Sequence, residues 1–143
     1  MCAIFGIIGT YEEEKAKEAF QTLAHRGIDA NYISVNDHRF LGVHRLAITD
    51  VTKTPTQIYN YNGLQILFNG EIYNYEVLAM ELQLPLPSEI DVMYAAYMKW
   101  GDDFVTYLRG MFAIAVIEGS QVKLFRDPFG KKPLFYTFDT QRF

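Results

Sequence analysis

The sequence is poor in cysteine, in long apolar runs and in clustered positive charge. Its one cysteine, Cys2, cannot form an internal disulfide, and a lone cysteine in an intracellular protein is either inert packing or a nucleophile. No apolar run approaches the roughly 18 residues of a membrane span. The acidic stretch from Glu12 follows the N-terminus too closely for a secretory signal. These absences predict a cytoplasmic protein.

Lysine and arginine are few and scattered. The 13 basic residues are outnumbered by 17 acidic ones, which gives a net charge of -4. Such a surface does not attract nucleic acid or an anionic membrane, so both are excluded as expected partners. A small molecule or another protein is the expected partner instead.

The chain shows no internal repeat, low-complexity tract or linker. Its 143 residues, half of them hydrophobic, are enough for one core and one small-molecule pocket. We therefore predict a single domain over residues 1–143. No phosphate-binding loop of the form GxxxxGK[ST] is present.

Hydrophobic periodicity predicts strands interrupted by helices. A capping box from Ser88 to Asp91 predicts a helix that continues to Trp100 and ends at Gly101. Polar turns are predicted at residues 36–37, 60–63 and 118–121. The predicted strands cover residues 2–9, 31–35, 40–48, 64–68, 111–117, 122–125 and 134–138, and the other helical segments cover 12–24, 75–82 and 102–108. This order suggests sheets layered with helices.

Cys2 is a candidate nucleophile because of its position. Removal of Met1 by ordinary processing would expose its α-amino group, whose pKa of roughly 7.7 to 8.0 suits it as a base for the adjacent thiol. Nucleophile and base would then belong to one residue. The alternative is a buried, unreactive cysteine on a strand, and position alone does not decide between the two.

The segment FNGEIYN at residues 68–74 breaks an apolar strand with an amide, a glycine and an acid. Acyl chemistry at an amide needs hydrogen-bond donors aimed at the developing oxyanion, and Asn69 with the Gly70 N–H is a plausible pair. Taken alone, Asn-Gly is more often a turn.

Arg45 places a guanidinium among strand residues, where it must pair with an acid or contact a ligand carboxylate. A free amino acid offers such a carboxylate. Its ammonium would need an acid opposite, for which Glu71 with Glu89 or Asp91 are candidates. Structural salt bridging is the alternative.

Six motifs together resemble the class II glutamine amidotransferases, which belong to the N-terminal nucleophile hydrolases, and most closely the glutaminase domain of asparagine synthetase. The motifs run through almost the whole chain: MCAIFG at residues 1–6, HRGID at 25–29, RLAITD at 45–50, FNGEIYN at 68–74, RGMFA at 109–113, and RDPFG with PL at 126–134. The fold that the resemblance implies is the α+β four-layer αββα sandwich of that hydrolase type.

The resemblance implies a role for each matched residue. Cys2 would be the nucleophile, and Asn69 with the Gly70 N–H the oxyanion hole. Substrate glutamine would be bound by five residues: the Arg45 side chain, backbone groups near Leu46 and Ile48, and the carboxylates of Glu71 and Glu89. No metal and no cofactor are implied for this half-reaction.

Three positions depart from the family pattern. Ala3 replaces a glycine and Ile28 replaces a proline, which frees φ in the HRG loop. Glu89 stands where the family has an aspartate that helps bind the substrate amine. Asp91 cannot take over that task, because two positions along a helix turn the side chain to another face. Weaker glutamine binding is therefore expected.

In asparagine synthetase the pattern continues into a larger ATP-using domain. The chain is therefore expected to be a stand-alone glutaminase or a subunit that supplies a separate ATP-dependent synthetase, with a truncated copy as a further option. Two alternatives stay open: a glutamine-binding or regulatory module without turnover, and a hydrolase acting on another γ-glutamyl amide.

Overall fold

The computed structural model describes residues 2–47, 58–85 and 88–138. These residues form two compact units. The first unit comprises the described residues up to 47 together with those from Leu134 onward, and the second comprises the described residues between 58 and 133. Each unit is an antiparallel sheet with helices, as the predicted α+β class requires. No helix among these residues is long and apolar enough to span a membrane.

The first unit is a three-stranded antiparallel sheet with one helix. Its strands lie in the order β1, β3, β2. The elements are β1 (Ala3–Ile8), α1 (Glu13–Gln21), β2 (Ala30–Asn36) and β3 (Arg39–Arg45), and a short 3₁₀ turn (Ala24–Arg26) follows α1. Each agrees with a predicted segment within a few residues, except that Ile48 of the predicted third strand lies outside the described residues.

Helix α1 packs on the sheet through one apolar edge. Ala16 and Phe20, one helical turn apart, are buried and contact Phe40 of β3. Gly42 lies beneath the Phe20 ring, where a Cβ atom would come within 2.5 Å of it. The α1 side of β3 therefore carries residues 40, 42 and 44, and alternation along the strand sends Arg45 to the opposite face.

The second unit is a four-stranded antiparallel sheet in the order β4, β5, β6, β7. Its elements are β4 (Ile58–Tyr61), β5 (Leu64–Ile72), α2 (Tyr75–Glu81), α3 (Glu89–Trp100), β6 (Gly110–Glu118) and β7 (Gln121–Arg126), with a 3₁₀ segment (Gly101–Thr106) after α3. The even-numbered residues of β5 and β6, such as Phe68 and Ile114, form its core with the buried residues of α3, including Met93 and Ala96.

The predicted capping box of α3 is present. Ser88 Oγ accepts a hydrogen bond from the Asp91 N–H at 3.4 Å, and Asp91 Oδ2 accepts one from the Ser88 N–H at 2.9 Å. Two otherwise unsatisfied donors are thereby paired, which determines where the helix begins. Helix α2 ends at Glu81, one residue before its predicted end, and Gln83 at φ 56 follows it.

Two predictions about strands are wrong. Residues 60–63 were expected to form a turn, but only Asn62 and Gly63 do, and both have the positive φ of a tight hairpin. Strand β4 occupies the residues before them. Residues 134–138 were expected to form a strand, and the structure assigns them to none. Phe135 in this segment is 90% exposed, so it does not pack against a sheet. Strand propensity depends on such packing, and without it the segment does not form a strand.

The turn after β7 is organised around a buried carboxylate. Asp127 is 4% exposed and accepts four backbone N–H bonds of 3.0 to 3.2 Å, from Phe112, Phe129, Lys131 and Lys132. Burial by itself raises the pKa of the Asp127 carboxyl, but the four N–H donors outweigh it and hold that pKa below its ordinary value. The carboxylate ties the turn to β6.

We predict that the Asp127→Asn variant has a lower free energy of unfolding. The Nδ2 group of asparagine would stand where a carboxylate oxygen now accepts hydrogen bonds, and it would face backbone N–H donors. The loss is expected to be about 1–3 kcal/mol at pH 7. A pKa lowered by folding stabilises the native state above the ordinary pKa, and this stabilisation disappears as the pH falls through the lowered value. The difference in the free energy of unfolding between wild type and variant should therefore shrink below about pH 4. Urea unfolding followed by the fluorescence of the one tryptophan, Trp100, measures it. Asp103→Asn, at an exposed position, is the control.

Candidate active site

The register of β1 against β3 determines the position of Cys2. Ala3 pairs with His44, so the next step of the same register brings Cys2 opposite Arg45. Residues opposite each other in an antiparallel pair share a face. Cys2 and Arg45 therefore lie on the face of the first unit's sheet that is turned away from α1.

The sulfur of Cys2 lies against the backbone of Leu46. Sγ is 3.4 Å from the Leu46 nitrogen, whose N–H donates to it, and 3.7 Å from the Leu46 carbonyl oxygen, which accepts from the thiol. Cys2 is partly buried. Leu46 thus contacts the predicted nucleophile through main-chain groups; the role expected of it, a backbone contact with substrate glutamine, stays a prediction.

Arg45 is a buried charge, with 5% of its surface exposed. A guanidinium taken out of water is stable only when its donors are engaged, and Arg45 does have polar contacts with its surroundings. Ile48, the third residue predicted from this motif, lies outside the described residues.

The HRG motif folds against the end of β3. Gly27 is buried, and a Cβ atom there would come within 2.5 Å of the His44 carbonyl. The His44 ring stacks on Phe20 with centroids 3.9 Å apart, and its Nε2 lies 3.1 Å from the Phe20 carbonyl oxygen. Only a residue without a side chain permits this approach, so Gly27 serves the geometry of β3.

In the second unit, Asn69 and Glu71 share one face of β5. They alternate with Phe68 and Ile72, which belong to the core with the helices, so both point to the sheet face away from the helices. Asn69 is 4% exposed, and its Oδ1 has no hydrogen-bond partner within the described part of the chain. A buried amide oxygen without a hydrogen bond destabilises the fold, so a purely structural role for it is disfavoured. This observation favours a role for Asn69 in binding a ligand.

The N–H of Gly70 is directed away from β6. In an antiparallel pair, opposite residues either exchange both hydrogen bonds or exchange none. Phe112 lies opposite Gly70, yet its N–H and C=O both bond Asp127 on the other side. Gly70 therefore points its N–H toward the side of β5 on which β4 lies. The described part of β4 starts opposite Leu67, short of Gly70.

Glu89, in the first turn of α3, reaches the end of β5. Its Oε1 accepts a hydrogen bond from the Ile72 N–H at 2.6 Å. One carboxylate oxygen therefore already holds a backbone donor, and a substrate ammonium would share this group with Ile72.

The described residues bring the predicted site together in two sets, one in each unit. Cys2, Arg45 and Leu46 meet at the end of β1 and β3, while Asn69, Gly70, Glu71 and Glu89 gather at the end of β5. Within the described residues, no group of three or more histidine, cysteine and acidic side chains is arranged to hold a metal.

Sequence reasoning missed Asn74. Its Oδ1 accepts from the Arg109 N–H at 2.8 Å and its Nδ2 donates to the Tyr107 carbonyl at 3.0 Å. The last residue of FNGEIYN thereby holds the segment that opens RGMFA. The asparagine at a strand end, next to a helix start, is the signal that could have indicated it.

Comparison with known proteins gives a consistent result. The family profile described as a glutamine amidotransferase domain matches residues 1–143. An asparagine synthetase [glutamine-hydrolyzing] of Bacillus subtilis is 34% identical, over 96% of this chain and 24% of its own length. Asparagine synthetase B of Escherichia coli is 33% identical, over 97% of this chain and 27% of its own. The chain thus spans about a quarter of the length of these relatives.

The fold also matches a solved structure. Glutamine phosphoribosylpyrophosphate amidotransferase from B. subtilis superposes with a TM-score of 0.67 at 18% identity, covering 91% of this chain and 38% of that one. This likeness confirms the predicted fold type, and the sequence matches confirm the resemblance drawn from the six motifs.

Gly70→Ala is predicted to destabilise the second unit. A Cβ atom there would overlap the Met111 carbonyl oxygen on β6, so the strands must separate. We expect a loss of about 1–3 kcal/mol, as for other overpacked positions. Gly63→Ala is the control, since it also has positive φ but meets no atom within 4 Å. Equal losses in urea unfolding for the two variants would contradict the steric explanation.

Proposed function

Because the chain belongs to the family of glutamine amidotransferase domains, we propose that it hydrolyses the side-chain amide of glutamine to glutamate and ammonia through a Cys2 thioester. The observation that carries the proposal is the position of the Cys2 sulfur. It lies at the tip of a strand pair, on the same face as the buried Arg45 and in contact with the Leu46 backbone. This arrangement suits a nucleophile beside a binding site for an amino acid.

The nucleophile is activated by its own residue. Once Met1 is removed, the free amine of Cys2 takes the proton of the thiol, and the thiolate attacks the side-chain carbonyl carbon of glutamine. The Leu46 N–H already donates to this sulfur and holds it at the end of β3.

The oxyanion that forms on the carbonyl oxygen is stabilised by the Asn69 amide and the Gly70 N–H. The donor that Asn69 contributes is its side-chain Nδ2. The orientation of the Gly70 N–H, away from β6, supports the role of Gly70. The amide nitrogen receives the proton from the amine and leaves as ammonia. Water then attacks the γ-glutamyl thioester, which releases glutamate and restores the thiol.

Glutamine is bound through its two charged groups. The Arg45 guanidinium pairs with the α-carboxylate, and backbone groups near Leu46 and Ile48 border it. The carboxylates of Glu71 and Glu89 accept hydrogen bonds from the α-ammonium.

The ammonia serves an amide transfer like that of the asparagine synthetases to which the chain is similar. We propose that a separate ATP-dependent synthetase subunit consumes the ammonia, and that both act in the cytoplasm. The second candidate is a glutamine-binding or regulatory module without turnover. The engagement of Glu89 by Ile72 favours it, because a carboxylate held by the backbone moves less freely toward substrate.

We predict that Cys2→Ala loses glutamine hydrolysis completely while its melting temperature stays within a few degrees of wild type. The reason is that the variant removes the atom that forms the thioester and little buried surface. Glutamate release from glutamine measures the activity. The intact mass of the wild-type protein is determined in parallel, because the mechanism requires that Met1 be absent. Hydrolysis by Cys2→Ala, or by protein that retains Met1, would contradict the mechanism.

Glu89→Gln distinguishes substrate binding from a purely structural role. Glutamine retains an oxygen that accepts from the Ile72 N–H, so stability should hardly change. Loss of the charge opposite the substrate ammonium should raise KM by about 10- to 100-fold, the cost of a charged hydrogen bond of about 1.5–3 kcal/mol. The measurement is KM for glutamine beside the melting temperature. An unchanged KM would assign Glu89 to the backbone contact alone. Glu81→Gln, at an exposed position of α2, is the control.

A further inference from the structure

Asp29 holds the backbone on both sides of Leu46. Its N–H donates to the Arg45 carbonyl oxygen at 3.1 Å, and its Oδ2 accepts from the Ala47 N–H at 2.7 Å. Asp29 lies in the HRGID motif just before β2 and is exposed. None of the roles described above uses this residue.

The two bonds act on the two peptide groups that contact Cys2. The carbonyl of Arg45 and the N–H of Leu46 belong to one planar peptide, and the carbonyl of Leu46 and the N–H of Ala47 belong to the next. Asp29 holds one end of each plane, while the other end of each faces the Cys2 sulfur at 3.4 and 3.7 Å. Because a peptide is rigid, holding one end orients the other.

The side chain of Asp29 does not serve a local turn. An aspartate that stabilises its own turn bonds a backbone group about two residues away. Asp29 instead reaches Ala47, 18 residues further along the chain. Its bond is short and charge-assisted, which is the stronger kind. A long-range bond of this kind constrains the segment at its far end.

We propose that Asp29 is a positioning residue, which orients the Leu46 peptide groups so that they hold the Cys2 sulfur for attack. This inference rests on the proposed function, since it assigns a task to a residue of the same site. Asp29 touches neither the sulfur nor the substrate. Its effect passes through the backbone, and an isosteric acceptor at position 29 should preserve it.

The principal test compares Asp29→Ala with Asp29→Asn in glutamine hydrolysis. The alanine variant is expected to lose about 10- to 100-fold in kcat, in the range seen when a reacting group is displaced by about 1 Å. KM should change less than kcat, because the charged groups that bind glutamine are intact and only the Leu46 backbone that borders the α-carboxylate is disturbed. The asparagine variant keeps an amide oxygen that can accept from the Ala47 N–H, so Asp29→Asn should stay within about threefold of wild type.

Asp37→Ala, in the exposed turn between β2 and β3, is the control and should match wild type. A kcat for Asp29→Ala equal to that of the control would overturn the inference, and so would an equal loss in Asp29→Asn and Asp29→Ala. If Asp29→Ala does not fold, Asp29→Ser replaces it, since its hydroxyl is too short to reach Ala47. Wild-type activity in Asp29→Ser would then refute the role.

A second measurement separates this inference from the proposed function. Cys2 is the only cysteine, so alkylation by iodoacetamide reports on its sulfur alone and needs no glutamine. The alkylation rate of Asp29→Ala should differ about two- to tenfold from that of wild type at pH 7, because the Leu46 carbonyl that contacts the sulfur is no longer held in place. If wild type fails to hydrolyse glutamine but shows this difference, the function fails and the positioning role stands. If wild type hydrolyses glutamine and the alkylation rates are equal, the positioning role fails alone.

Discussion

The pairing of β1 with β3 is the constraint on which the candidate site depends. Ala3 pairs with His44, and the same register carries Cys2 to the position opposite Arg45. A slip of one residue would move every side chain of β1 to the other face of the sheet and turn Cys2 toward α1. The register is specified by apolar packing, because Phe5 must lie against Phe40 and α1. The hydrophobic core of the first unit thereby determines where the sulfur lies.

Several residues of the recognised motifs support the architecture through contacts with the backbone. Asp127 gathers four backbone donors in RDPFG, and Asn74 connects FNGEIYN to the segment before β6. Gly27 permits the HRG loop to approach β3. Asn74 and Gly27 lie next to β5 and β3, which carry candidate site residues, whereas Asp127 lies next to β6. A shared motif alone therefore does not identify a catalytic residue.

Local signals predicted most of the fold, and long-range contacts account for the rest. The α3 capping box and the alternating strands depend on residues close in sequence, and those predictions are confirmed. Strand β4 was missed because its last residues were assigned to the turn that Asn62 and Gly63 form alone. In the site, Cys2 and Arg45 were identified from the sequence, whereas the bond from Asp29 to Ala47 was not. Nothing near Asp29 in sequence indicates a partner on another strand.

The first turn of α3 shows how two neighbouring carboxylates come to have different tasks. Asp91 faces back toward Ser88 and completes the cap, so its Oδ2 is occupied at the helix start. Glu89 lies about 200° away around the helix, because each residue advances it by roughly 100°, and points to the end of β5, where it meets Ile72. The longer side chain allows this reach. Glu89, one of the three positions expected to depart from the family pattern, is thus attached to the strand of the proposed oxyanion hole, so a substitution at Glu89 acts directly on that strand.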